Sequence, residues 1–141
     1  MPAYQSSAVI DAPSAVVWDI LTDVAEYPAW DSGVVSVQGT VAPGAKITVV
    51  SSVNPQRAFP VVVTELQPPH SMRWASGLPL GLFKGERTFT LVAEPDNRVR
   101  FTMREAYSGP LAPLIFRSIP DLNPSFEQFA AGLKQRAERR D

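Results

Sequence analysis

Between Gly81 and Gly109 the chain reads GLFKGERTFTLVAEPDNRVRFTMREAYSG, two halves that each alternate apolar and polar residues. Gly85, Arg87, Phe89 and Leu91 share one face of the first half; Val99, Phe101, Met103, Glu105 and Tyr107 share one face of the second. Period-two alternation of this length, broken by Glu94-Pro95-Asp96-Asn97, predicts two long strands joined in a hairpin. The apolar faces must match, because a slip of one residue turns every side chain to the other side. Leu91 then lies opposite Phe101 and Phe89 opposite Met103, which places Arg87 opposite Glu105. Both charges fall on an otherwise apolar face. They form either a structural ion pair or the polar floor of a pocket.

The 141 residues suit one domain with a core that needs no disulfide or metal to hold it. An apolar content of 45% and a charged content of 19% describe an ordinary globular chain. A net charge of −1 supplies no global field toward nucleic acid or an anionic membrane. The absence of cysteine excludes thiol catalysis and thiolate metal sites. No basic-then-apolar leader opens the sequence, and no apolar run reaches the roughly 20 residues of a membrane span. A cytoplasmic location is the expectation.

Residues Ala3 to Asp11 read as a first strand, and Ala12-Pro13-Ser14 starts a helix with Pro13 at its first position. Its apolar residues are Val16, Val17, Ile20, Leu21 and Val24, and Trp18 packs it on the sheet. The segment from Ala25 to Ser32 is a short second helix or turn, interrupted by Pro28. Four strands follow, at Val34–Gly39, Ala45–Val53, Phe59–Leu66 and His70–Ser76, broken by Ala42-Pro43-Gly44, Asn54-Pro55-Gln56 and Pro68-Pro69. After the hairpin, Pro110, Pro113 and Pro120 surround Leu114-Ile115-Phe116, a composition expected of an irregular lid. Asn123 as cap and Pro124 as first helical residue open a long last helix. Phe126, Phe129 and Leu133 should face the sheet, and Glu127, Gln128, Lys134 and Gln135 solvent. Arg136 to Asp141 reads as a solvated, fraying end. An antiparallel sheet of seven strands with helices on one face is an α+β fold. Bent around the last helix, such a sheet encloses a concavity.

Chemistry-bearing residues are few. His70 alone, after Pro68-Pro69, reads as an exposed turn histidine; no serine in a strained elbow completes a triad, and no acidic cluster has metal-ligand spacing. No metal or cofactor is expected. Gly77, Gly81 and Gly85 lack the lysine of a phosphate loop and read as sheet bends. The inward polar groups remain: Arg87, Glu105 and, two residues on, Tyr107. Buried ion pairs stabilise little because desolvation offsets attraction, so water or a ligand beside this one explains it better than a dry core. Trp30, Trp74, Phe83, Phe101, Phe116 and Phe126 would wall the pocket, although several serve equally as ordinary core.

The stretch AVIDAPSAVVWDILTDVAEYPAW, from Ala8 to Trp30, resembles the opening of the START-like, helix-grip proteins (the SRPBCC superfamily) of the polyketide cyclase/dehydrase and lipid-transport type, which include the birch-pollen-allergen type and many uncharacterised bacterial proteins. The matching residues are Ala12-Pro13, Val17-Trp18, Asp23, Tyr27-Pro28 and Trp30, then Glu65-Leu66, Pro68-Pro69, Trp74, Gly85-Glu86, Phe89, Leu91 and Phe126. The resemblance spans nearly the whole chain and implies a helix-grip fold. It is weaker for function, because that fold hosts carriers, cyclases, receptors and regulators. Similar bacterial proteins often carry histidine where this chain has Arg87; if that histidine transfers protons in some of them, this chain lacks the group. Three readings stay open: a carrier of a small hydrophobic molecule (lipid, polyketide-like or aromatic); a cyclase or dehydratase using Arg87, Glu105 and Tyr107; or an accessory module binding a protein partner or a second copy of itself. An exposed apolar surface at Leu78-Pro79-Leu80 and Leu111 to Phe116 would mark the third.

Overall fold

The computed structural model describes residues 3–30, 32–52, 55–56, 58–118 and 121–139. In chain order they form β1 (Ala3–Ile10), α1 (Ser14–Thr22), a 3-10 turn (Val24–Ala29), β2 (Val34–Gln38), β3 (Lys46–Ser51), β4 (Phe59–Gln67), β5 (Ser71–Leu78), a second 3-10 turn (Pro79–Gly81), β6 (Phe83–Glu94), β7 (Arg98–Ser108), α2 (Ala112–Ser118) and α3 (Asn123–Arg139). The seven strands make one antiparallel sheet in the order β1-β7-β6-β5-β4-β3-β2. Each step from β2 to β7 joins sequence neighbours through a short connection. Only β1 crosses over, closing against β7 after the chain has turned through all the others.

The β6–β7 hairpin has the register that its alternation dictates: Leu91 pairs with Phe101, Phe89 with Met103 and Arg87 with Glu105. Asp96 and Asn97 both adopt positive φ in the turn, a conformation that Asp and Asn side chains tolerate better than bulkier ones. Phe89, Leu91, Val99, Phe101 and Met103 are all buried, whereas Val92, Arg100 and Arg104 on the other face are exposed.

The inner face of the sheet is covered by α3, whose Phe126, Phe129, Ala130, Leu133 and Ala137 are buried. Two of its predicted solvent-facing residues, Gln128 and Lys134, are instead half-buried. The Lys134 Nζ donates to the Val9 carbonyl at 2.8 Å and to Glu138 Oε2 at 2.7 Å, so a long cationic side chain laces the helix to β1.

Several boundaries differ from expectation. Pro13 caps α1 rather than opening it, its carbonyl accepting from the amides of Val16 and Val17. Asn123 is the first residue of α3 rather than its cap, and Asp121 Oδ1 accepts the Asn123 N–H at 3.0 Å. The expected irregular lid contains a helix, α2. Pro113 sits in its first turn, where a missing N–H breaks no intrahelical bond. β5 continues past its expected end at Ser76 to Leu78 and runs directly into the turn at Pro79–Gly81. His70 lies in the turn before β5 and is exposed. Arg136 and Arg139 are held in the helix: α3 runs to Arg139, and Arg136 lies 3.9 Å from Glu26. The readings that involve Val53, Asn54, Pro120 and residues 140–141 lie outside the described residues.

Candidate functional site

Two aromatic groups fill the space between sheet and helices, and Arg87 stands between them. The first gathers where β1, β6 and β7 meet α2. Tyr4 on β1, opposite Glu105, packs on Phe116 at 5.0 Å between ring centres and on Phe126 at 5.8 Å. Tyr107 packs on Phe83 at 5.6 Å and on Phe116 at 5.7 Å. The second group lies under the first 3-10 turn. Tyr27 packs on Trp30, Trp74 and Phe129, and Phe129 reaches on to Phe89 and Phe101.

Arg87 contacts both groups. It pairs with Trp74 on β5 and with Glu105 on β7, and its guanidinium carbon lies 4.9 Å from the centre of the Phe126 ring, a cation–π arrangement. The Arg87 Nε lies 3.2 Å from Glu105 Oε1, with the two side chains 26% and 15% exposed. The charges therefore neutralise each other in a mostly dry setting. The Nε–H nevertheless makes no hydrogen bond, because the approach is off its axis. Glu105 takes its hydrogen bond elsewhere, from the Tyr107 hydroxyl to its second carboxylate oxygen. Burial raises the pKa of Tyr107, and the Glu105 charge and that hydrogen bond raise it further, so the phenol stays a proton donor.

Tyr27 is neutral for a simpler reason. Its burial raises the pKa well above the ordinary phenol value, the nearby Arg87 charge only partly opposing this. Its hydroxyl donates to the Leu21 carbonyl at 2.6 Å, satisfying one of the carbonyls that the end of α1 leaves open. Ser32, the buried polar residue beside it, donates to the Tyr27 carbonyl at 2.7 Å and accepts from the Val34 amide at 3.1 Å. These bonds fix the turn that carries Trp30.

Among the described residues the indole N–H groups of Trp30 and Trp74 are buried without an acceptor, and the Arg87 Nε–H is aimed poorly at Glu105 Oε1, 3.2 Å away. All three groups are donors. Native interiors leave few such groups unpaired, and each orphan costs about 1–3 kcal/mol.

Of the residues expected to line a pocket, Arg87, Glu105, Tyr107, Phe83, Phe116 and Phe126 come together, and Trp74 borders them through Arg87. Trp30 and Phe101 belong to the second aromatic group, around Phe129. Tyr4, which sequence reasoning missed, completes the first group; its only signal was a lone aromatic on the inward face of a polar strand. The concavity expected under the sheet is filled by these rings. Two recesses on the surface lie elsewhere. One of about 330 Å³ runs between β1 and α3, lined by Ser6, Ala8, Ala130 and Lys134 among others. The other, of about 250 Å³, lies between Trp30 and the last turns of α3. Neither is lined by Arg87, Glu105 or Tyr107. Among the described residues no group of three or more His, Asp or Glu is placed to hold a metal ion, and no helix is long and apolar enough to cross a membrane.

A curved seven-stranded antiparallel sheet, with short helices after its first strand and a long last helix across its inner face, defines a START-like helix-grip protein. The chain belongs to the polyketide cyclase / dehydrase and lipid transport family, whose model matches residues 1–138. Solved structures share the fold at low identity. An aromatase/cyclase from a Streptomyces species superposes with a TM-score of 0.77 at 12% identity, over 99% of this chain and 94% of that one. A START superfamily protein from Mycobacterium smegmatis gives 0.72 at 14% identity, over 97% of each chain. A protein from Mesorhizobium loti gives 0.75 at 16% identity, over 99% of each. No protein of curated function matches the chain.

Proposed function

We propose that this chain, acting as one domain in the cytoplasm, binds and carries a small, largely apolar molecule against the inner face of β6 and β7. The observation that carries the reading is a pair of buried indole donors, Trp30 Nε1 and Trp74 Nε1, that find no acceptor among the described residues, with the Arg87–Glu105 ion pair beside Trp74 in an aromatic interior. Such an interior suits an apolar ligand with an oxygen acceptor: the rings take its body, and charged Arg87 with its cross-strand neighbour Trp74 takes its oxygen. The ligand would displace the Phe116 ring and the end of α2, which now close over Tyr107.

The reading is tested with a matched pair of probes, a fused-ring hydrocarbon and its ketone. A hydrogen bond to a charged donor contributes about 1.5–3 kcal/mol, so the wild-type protein should prefer the ketone by roughly tenfold to a hundredfold. Replacing Arg87→Met and Glu105→Gln together, so that neither charge is left buried alone, should remove the preference while hydrocarbon binding survives. A wild-type protein that binds neither probe, or both equally, overturns the reading. Native mass spectrometry of freshly purified protein adds an independent check, since a co-purifying ligand should carry an oxygen acceptor.

A second reading, catalysis of a cyclisation or dehydration, is favoured by one feature. Tyr107 is a neutral donor hydrogen-bonded to the Glu105 carboxylate, which could itself take a proton from a substrate, beside a guanidinium placed to steady a developing oxyanion. Turnover of a polyketide-like substrate that is lost in Tyr107→Phe with binding retained would establish it.

A further inference from the structure

We propose that the end of the molecule formed by the turn at Pro79–Gly81 and by α2 docks on an anionic lipid bilayer, its leucines entering the interfacial layer. Eight large apolar side chains are exposed among the described residues, and four of them lie here: Leu78 at 47%, Leu80 at 95%, Leu82 at 40% and Leu114 at 60%.

The leucines form one body. The Leu111 amide donates to the Leu82 carbonyl at 2.9 Å, tying the start of α2 to the turn. A Cβ on Gly109, which has φ of 98°, would meet that same carbonyl at 2.7 Å, so only glycine lets the two segments lie this close. α2 is two-sided: Ala112 and Phe116 face the interior, whereas Leu114 and Arg117, three residues apart, share its outer face. Leu80 is nearly fully exposed and has a φ of 62°, a left-handed conformation that is unfavourable for a leucine. Nothing in the fold gains from presenting a leucine there, and glycine would suit the backbone better.

Charge selects the occupant. The charged residues of segments 77–85 and 109–118 are Lys84 and Arg117, both cationic and both exposed, in a chain of net charge −1. Lys84 keeps a loose surface partner in Glu86 at 3.7 Å, and Arg117 is exposed three residues after Leu114 on α2. Leucines at a projecting tip with basic side chains at their rim match the interfacial zone of an anionic membrane. A protein partner fits less well. A stable interface takes about 800 Å² from each side and centres on aromatic anchors, whereas this tip offers four leucines, only one of them almost fully exposed.

The test is cosedimentation of the full chain with vesicles of phosphatidylcholine alone and of phosphatidylcholine mixed with phosphatidylglycerol. Wild-type protein should bind the mixed vesicles at low salt and be released by high salt. Leu80→Glu should lower the partition coefficient roughly tenfold or more, and Arg117→Glu at least about fivefold. Leu80→Gly separates docking from folding: it should raise the melting temperature by relieving the backbone while still losing vesicle binding. Ligand binding measured without vesicles should not change in Leu80→Glu or Leu80→Gly, so this proposal and the carrier reading can fail separately. Wild-type protein that stays in the supernatant, or Leu80→Glu that sediments as well as wild type, overturns the proposal. So does a wild-type dimer that Leu80→Glu dissociates in the absence of vesicle binding, since the tip would then be covered by a second copy.

Discussion

The inward Arg87–Glu105 pair was legible because a period of two leaves a side chain only two directions, and five apolar neighbours fixed which one faced inward. Other residue-level features were not. Whether the indoles of Trp30 and Trp74 would find acceptors depends on ring orientations that no local pattern encodes, and Tyr4 stands alone in a polar stretch. The two buried phenols make a sharp prediction. Tyr27 and Tyr107 both have pKa values raised by burial, so each contributes stability that is fully present below the unfolded-state value of about 10 and is lost as pH rises beyond it. Each should steepen the alkaline fall in unfolding free energy by about 1.4 kcal/mol per pH unit. Urea denaturation across that range should show a shallower slope for Tyr27→Phe. The variant should also be less stable at neutral pH, by about 1–3 kcal/mol, because the Leu21 carbonyl loses its buried donor. Equal slopes in variant and wild type would mean that Tyr27 ionises freely in the folded state. At the other tyrosine, Glu105→Gln should lower the Tyr107 pKa but not to the ordinary phenol value, because burial, the largest cause, remains. Ultraviolet titration of the tyrosinate band reads this directly.

Elements were legible where a repeat ran long enough to average over exceptions. The long hairpin and α3 both satisfied this, and the stripe of Phe126, Phe129 and Leu133 pointed inward as its spacing required. Phe129 packs against Tyr27, Trp30, Phe89 and Phe101, so Phe129→Ala should open a cavity among rings that cannot collapse into it. The expected loss is about 3–5 kcal/mol by chemical denaturation, and a loss below about 1 kcal/mol would show that the helix repacks. α2 was missed for a definite reason. Its prolines read as breakers, but Pro110 lies before the helix and Pro113 in its first turn, where the ring costs no hydrogen bond. The same element depends on Gly109. Gly109→Ala puts a methyl 2.7 Å from the Leu82 carbonyl and 2.8 Å from the Gly81 carbonyl, contacts that only backbone movement can relieve. Its cost should reach at least about 1–3 kcal/mol, with a changed near-ultraviolet circular dichroism as α2 lifts and the environment of Phe116, Tyr4 and Tyr107 alters.

At the scale of the molecule, the sheet order and the helix across it followed from the order of the elements, because consecutive antiparallel strands joined by short turns have few other ways to pair. The state of the interior did not follow. A bent sheet over one helix leaves room in principle, but whether that room is empty depends on how large side chains from distant elements interlock, and here they fill it. A ligand can therefore reach the buried Nε of Arg87 and the buried Tyr107 only if something moves. α2 is the element best placed to do so: it is seven residues long, and it covers Tyr4 and Tyr107 chiefly through the one ring of Phe116. Association should then be limited by opening rather than encounter. In stopped-flow mixing with an apolar fluorescent probe, the observed rate for wild-type protein should level off as probe concentration rises. Phe116→Ala removes the ring that holds the cover down, so it should raise the plateau while lowering melting stability only modestly, because Phe116 is half-buried. Phe116→Asp should behave differently, opening as readily but binding the probe more weakly, because a carboxylate then stands at the entrance to an apolar interior. A rate that rises linearly in wild type and is unchanged in Phe116→Ala would mean that the ligand enters by another route, and the recess beside Trp30 and α3 would be the next place to probe.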